Sequence, residues 1–145
     1  MKHLLLLLVG LLAFASCKKE DEPMPVASAR VAGTYVVSRI AYDAPGTVDD
    51  YDVTLPRSVN GVSQSGTLVA QRFDNRDDAV TIVITIKTTG EQDRNLDLQD
   101  FDLAESGRTL NLNFNGATYG TTDGNTIKLD FTENGERLVV EAKRQ

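Results

Sequence analysis

In Val80-Thr81-Ile82-Val83-Ile84-Thr85-Ile86-Lys87, residues Val80, Ile82, Ile84 and Ile86 share one face of an extended chain, and Thr81, Thr85 and Lys87 share the other. The same period-two alternation returns in Leu110-Asn111-Leu112-Asn113-Phe114, Ile127-Lys128-Leu129-Asp130-Phe131 and Leu138-Val139-Val140-Glu141-Ala142. Each run reads as a half-buried strand, one face toward a core and one toward water. Between the runs stand Asn60-Gly61, Thr89-Gly90, Ser106-Gly107, Asn115-Gly116, Asp123-Gly124 and Asn134-Gly135. Such pairs supply the positive φ that tight hairpin turns require. The spacing predicts strands near 32–42, 51–57, 66–73, 79–88, 94–103, 108–114, 117–122, 126–132 and 137–143. The expected fold class is all-β: an antiparallel up-and-down meander of eight or nine strands closing into a small barrel, with a β-sandwich as the alternative.

One window breaks the alternation. Leu96 and Leu98 fall on one parity and Phe101 and Leu103 on the other, which predicts a β-bulge inside that strand, with a short helical turn as the alternative.

The first residues follow a different pattern. Met1-Lys2-His3 is a short positive segment, the apolar run from Leu4 ends at Ala15, and Ala15-Ser16 supplies the small residues a signal peptidase requires. A membrane-spanning helix needs ~20 apolar residues, and this run meets Lys18-Lys19-Glu20-Asp21-Glu22 before that. Residues 1–16 therefore read as a signal peptide. Residues 17–30, charged and then rich in Pro, Ala and Ser, read as a linker with a reach of ~20 Å. Residues 31–145 suit one domain of modest core.

Ala15-Ser16-Cys17 resembles the end of a bacterial lipobox, with Phe14 where leucine is usual. The resemblance implies that Cys17 is diacylated and becomes the mature N-terminus. Cys17 is the only cysteine, so no internal disulfide is available and lipidation accounts for the odd thiol. At ~0.8 kcal/mol per buried methylene, two or three acyl chains make attachment to a membrane effectively permanent. Cys17-Lys18-Lys19-Glu20-Asp21-Glu22 is similar to the start of Bacteroidota-type lipoproteins. That similarity implies an outer-membrane lipid anchor, with display at the cell surface or otherwise on the periplasmic face.

Val31-Ala32-Gly33-Thr34-Tyr35-Val36-Val37 resembles the opening strand of lipocalin-like domains, whose motif is Gly-x-Trp. Tyr35 stands where that family's tryptophan closes one end of the barrel. The resemblance further implies a basic residue packed over this ring, and Arg144, after the last strand, is the candidate for a cation–π contact with Tyr35.

Composition mainly excludes. Removing residues 1–16 takes Lys2 from the 15 basic side chains and leaves 14 against 21 acidic ones, a formal net charge of −7. An acidic domain lacks the basic track that replaces phosphate counterions, so no nucleic acid is expected as partner. The single histidine is His3, inside the leader, which removes Ser-His-Asp, Cys-His and zinc-water mechanisms from the remainder. No acid lies in an apolar setting that would raise its pKa, and the domain reads as non-enzymatic. Three acidic clusters, Asp49, Asp50 and Asp52, then Asp74, Asp77 and Asp78, then Asp97, Asp100, Asp102 and Glu105, do not follow the spacing of a calcium loop and read as solvated turns. That spacing gives no reason to expect a metal, and with glycines read as belonging to hairpin turns and not to strand-to-helix junctions, no nucleotide cofactor is expected either.

Two functional expectations remain. The first is a binding module for a small apolar molecule or another surface component, with Tyr35, Val37, Ile82, Ile84, Leu112, Phe114, Leu129 and Val140 as candidate inward residues. The second is a structural or protein–protein interaction domain of the cell envelope with a filled interior. An eight-strand barrel serves either role, because its interior just accommodates side chains or one small ligand. The size of the inward aliphatics predicts a filled interior, with any ligand site at one open end.

Overall fold

The structure, a computed structural model, describes residues 24–46 and 50–145. The leader, Cys17 and the rest of the first half of the linker, and residues 47–49 with Asp49, lie outside the described residues. The chain runs as a short helix α1 (Ala27–Val31) followed by β1 (Gly33–Asp43), β2 (Tyr51–Thr54), β3 (Arg57–Val59), β4 (Val62–Phe73) and β5 (Arg76–Thr88). It continues through β6 (Arg94–Ser106), β7 (Thr109–Phe114), β8 (Ala117–Thr122), β9 (Thr126–Glu133) and β10 (Glu136–Arg144).

Every strand pairing is antiparallel, and β1 closes the sheet by bonding to β10 along one side and to β4 along the other. Closure makes an eight-stranded barrel of β1 and β4 to β10, and it excludes the sandwich. The strand expected over 51–57 is two strands. Pro56 has no N–H to give a ladder, and the chain leaves β2, which pairs with β1, to enter β3, which pairs with β4. This pair of short strands fills the gap where β1 and β4 diverge at one end of the barrel.

Three Asn-Gly turns place both residues at positive φ: Asn60 and Gly61, Asn115 and Gly116, Asn134 and Gly135. That is the primed-turn geometry whose twist matches the flanking strands. The parity break in β6 is a bulge: Thr81 opposes Asp100 while Ile82 opposes Leu98, leaving Gln99 as the extra residue. Two further bulges lie at Ser38, between β1 and β10, and at Tyr119, between β7 and β8.

Side chains fill the barrel interior. Tyr35, Val37, Leu68, Ile82, Ile84, Phe101, Leu110, Leu112, Ile127, Leu129 and Val140 are all essentially inaccessible to water. The barrel has no room for an extra methyl at β8, where a Cβ on Gly120 would run into the Lys128 carbonyl oxygen of β9.

The folded body starts before residue 31, because α1 occupies positions expected to be linker. Five residues cannot hold a helix alone, since nucleation is unfavourable and a single turn returns few bonds. Packing supplies the difference: Ser28 and Val31 are fully buried, and Arg72 Nε of β4 donates to Ser28 Oγ at 3.1 Å. Arg30 adds an ion pair with Glu105 of β6. The helix thus plugs one end of the barrel and leaves the other end open.

Candidate functional site

The two ends of the barrel are built for different work. At the plugged end, the terminal carbonyls of α1 have no helical partner and need donors. Arg144, at the end of β10, supplies them. Its Nη2 donates to the Arg30 carbonyl at 2.7 Å and its Nη1 to the Ala32 carbonyl at 3.1 Å, while Nε donates to Gly124 O at 2.6 Å. Nη2 also lies 2.8 Å from the Tyr35 hydroxyl oxygen, and the guanidinium carbon sits 5.1 Å from the Tyr35 ring centroid. The Tyr35 hydroxyl has one proton, within reach of the Val31 carbonyl at 2.6 Å and the Gly124 carbonyl at 3.1 Å. Burial pushes its pKa up, and the neighbouring Arg144 charge opposes that rise. Gly33, at φ 151°, leaves space for this guanidinium, since a Cβ there would stand 2.9 Å from Nη1. Tyr35 and Arg144 therefore hold the plug in place.

The opposite end carries a cavity of about 580 Å³. Its wall is set by register: Tyr51 of β2 opposes Tyr42 of β1, Tyr42 opposes Leu138 of β10, and Leu138 opposes Phe131 of β9. Tyr119 of β8 stacks on Phe131 with centroids 5.0 Å apart and planes at 25°, and Phe114 of β7 lies 6.3 Å beyond Tyr119. Leu96 and Leu98 of β6 complete the apolar lining. The buried Phe101 meets Phe131 edge-on at 5.6 Å, so the cavity floor is the top of the packed core.

Bulges aim two of these rings. At Ser38 the extra residue switches the inward parity of β1 from Tyr35 and Val37 to Ile40 and Tyr42. At Tyr119 the residue opposite Leu112 is Gly120 and the residue opposite Asn113 is Thr118, so Tyr119 is the inserted position. The ladder between β8 and β9 runs only from Gly120 and Leu129 to Thr122 and Ile127. Above it the Tyr119 and Phe131 rings cover the separation.

A second cavity, about 590 Å³, adjoins the first and shares Tyr51 and Leu96 with it. Its apolar wall is Ile40, Val53, Leu55 and Ile86, and its edge carries Arg57 and Arg94. Burial raises the Tyr51 hydroxyl pKa, with the Arg94 charge working against it.

Of the residues proposed from sequence as inward ligand contacts, Phe114 alone lines the aromatic mouth. Tyr35, Val37, Ile82, Ile84, Leu112, Leu129 and Val140 lie in the packed core, because medium and large side chains saturate an eight-strand interior. Phe131 was expected to face inward from its alternation, whereas Tyr42, Tyr51 and Tyr119 were not among the candidates. The signal for them is positional: in an up-and-down barrel, the ends of β1, β7 and β9 and the start of β8 meet at one rim, and each carries an aromatic residue.

Members of all three acidic clusters are engaged in ion pairs on the outside. Asp52 binds Arg39 at 2.8 Å, Asp77 binds Arg72 at 3.0 Å, and Arg76 joins Asp78 and Asp102 at 3.1 and 2.7 Å. Asp97 is the member that reaches the lining of the mouth.

No protein-family model matches the chain, and no curated protein does. Among solved structures it is similar to a de novo designed fluorescence-activating β-barrel, at 14% identity and a TM-score of 0.38, over 84% of this chain and 100% of that one. A likeness so distant has no bearing on function.

Chemically, the mouth offers apolar and aromatic contact area with phenol hydroxyls at its edge. Its lining holds no histidine, cysteine, serine or lysine, so the described wall contains no nucleophile and base in the usual pairing.

Proposed function

We propose that this chain is a lipid-anchored envelope protein whose barrel is a non-catalytic binding module for a small amphipathic molecule, received at the open end. The observation that carries the reading is the aromatic mouth above a filled core. A concave site of several hundred Å³, mostly apolar with a few polar groups at its edge, is the usual form of a small-molecule site. The lipobox-like Ala15-Ser16-Cys17 supports anchoring through acyl chains in the outer membrane, at the cell surface or otherwise on its periplasmic face. The position of α1 supports a matching orientation. A tether running back from Ala27 leaves the plugged end, so the mouth lies at the end of the barrel away from the attachment.

Native mass spectrometry of the protein from its own host tests the reading directly. A retained small molecule is expected, lost in Tyr119→Ala and kept in Val37→Ala. A chain that carries nothing and binds no apolar probe at the mouth would refute it. The second reading, an interaction domain, draws on the β3–β4 hairpin, where Val59 and Val62 oppose each other and are 56% and 43% exposed. In that case the hairpin, and not the mouth, would be where substitution abolishes binding to an envelope partner.

A further inference from the structure

The inward-facing rows of β9 and β10 end in an unusual way. On β9 the row is Ile127, Leu129, Phe131 and then Glu133; on β10, read toward the mouth, it is Ala142, Val140, Leu138 and then Glu136. Glu133 and Glu136 are direct cross-strand partners. Like charges opposite one another in an antiparallel pair destabilise the hairpin. Neither glutamate makes an ion pair among the described residues. The adjacent Arg137 belongs to the outer face, where it forks onto both Asp130 carboxylate oxygens at 2.8 and 2.6 Å. Both glutamates line the aromatic cavity, and among the described residues no lysine or arginine does. Arg57 and Arg94 line the neighbouring cavity, and Arg94 reaches Glu91 at 3.4 Å.

Resting on the reading of the mouth as a small-molecule site, we propose that its ligand is an organic cation, a substituted or quaternary ammonium group on an apolar body. Aromatic faces attract a cation through their negative quadrupole, most strongly where water is displaced. Tyr42, Tyr119 and Phe131 provide such faces, and Glu133 with Glu136 provides the counter-charge. A bound cation converts the opposed carboxylates from a repulsive pair into a complementary one. An anionic amphiphile such as a fatty acid meets the same two charges as a barrier.

The test is calorimetric titration of the full chain with three probes: phenyltrimethylammonium, its uncharged shape twin tert-butylbenzene, and the anion 1-anilinonaphthalene-8-sulfonate. The cation should bind about ten-fold more tightly than its twin, the scale of one desolvated cation–π contact. That preference should shrink as sodium chloride is added, because the carboxylates are exposed and screened. The double variant Glu133→Gln, Glu136→Gln should weaken cation binding and lower the preference about three-fold, leaving the part that the aromatic faces supply. Its melting temperature should equal or exceed that of the parent, since the opposed charges are gone; should the variant fail to fold, the salt series on the parent decides. Equal or tighter binding of the twin or the sulfonate at the mouth overturns the cation inference and leaves an apolar site standing. Binding of none of the three removes both readings.

Discussion

Replacing Arg144 by methionine removes the guanidinium but keeps much of the stem, and the cost follows from what the head group was holding. Three of its hydrogen bonds are 2.8 Å or shorter, to Arg30 O, Gly124 O and the Tyr35 hydroxyl. A hydrogen bond to a charged group contributes ~1.5–3 kcal/mol net. These bonds share one cation and are partly open to water, so their values do not add. The expected loss is ~2–4 kcal/mol, placing Arg144→Met among the larger single-residue effects. With a urea m-value of ~1.5 kcal/mol/M, the midpoint should fall by about 2 M. The chain has no tryptophan, so the transition is followed by far-ultraviolet circular dichroism with tyrosine fluorescence as second probe. The Ala32 amide, bonded to Ser28 O at 2.8 Å, should lose exchange protection as α1 loosens. Arg144→Lys should recover less than half of the loss, because an ammonium cannot reproduce the fork that reaches the carbonyls of Arg30, Val31, Ala32 and Gly124. A midpoint for Arg144→Met within ~0.3 M of the parent would refute the argument that this side chain secures the plug.

Ile84→Ala empties part of a sealed interior and should cost ~2–5 kcal/mol in the same urea assay, while binding at the mouth changes less than two-fold by rough expectation. Cys17→Ser should move the protein from the membrane pellet to the soluble fraction or block its maturation; unchanged partition with an unacylated N-terminus would count against the anchor. Asp123 accepts the backbone N–H groups of Asn125 and Thr126 at 2.9 and 2.6 Å, which hold its carboxyl below the ordinary aspartate range. Its contribution is therefore present above the unfolded pKa of ~4 and lost as pH falls through the lower folded value, so Asp123→Asn should flatten the acid limb of a stability–pH curve.

Much of the barrel was legible because its strands and turns obey local rules. The alternation around Ile84, the Asn-Gly turns and the parity break before Phe101 each have a local physical cause, and each appears in the structure as strand, primed turn and bulge. The short helix was not legible, since Ala27–Val31 has neither a capping side chain nor enough length for a helical period, and only docking on β4, β5 and β6 makes it. The mouth was hidden for a related reason. The bulges at Ser38 and Tyr119 change which side chains face inward, and nothing in the flanking alternation announces them. Tyr51 reaches the site from a four-residue strand outside the barrel proper. Core positions announce themselves by repetition, whereas these mouth positions depend on irregularities in pairing.

The central claim is that the interior is filled and that small molecules are received only at the aromatic mouth. A backbone and aromatic nuclear magnetic resonance titration with phenyltrimethylammonium and tert-butylbenzene tests it most directly. The account predicts saturable shifts at Tyr42, Tyr51, Phe114, Tyr119 and Phe131, with Tyr35, Val37, Ile84 and Leu112 unmoved. Shifts centred on those core residues, or saturation without any change at the five mouth aromatics, would contradict it.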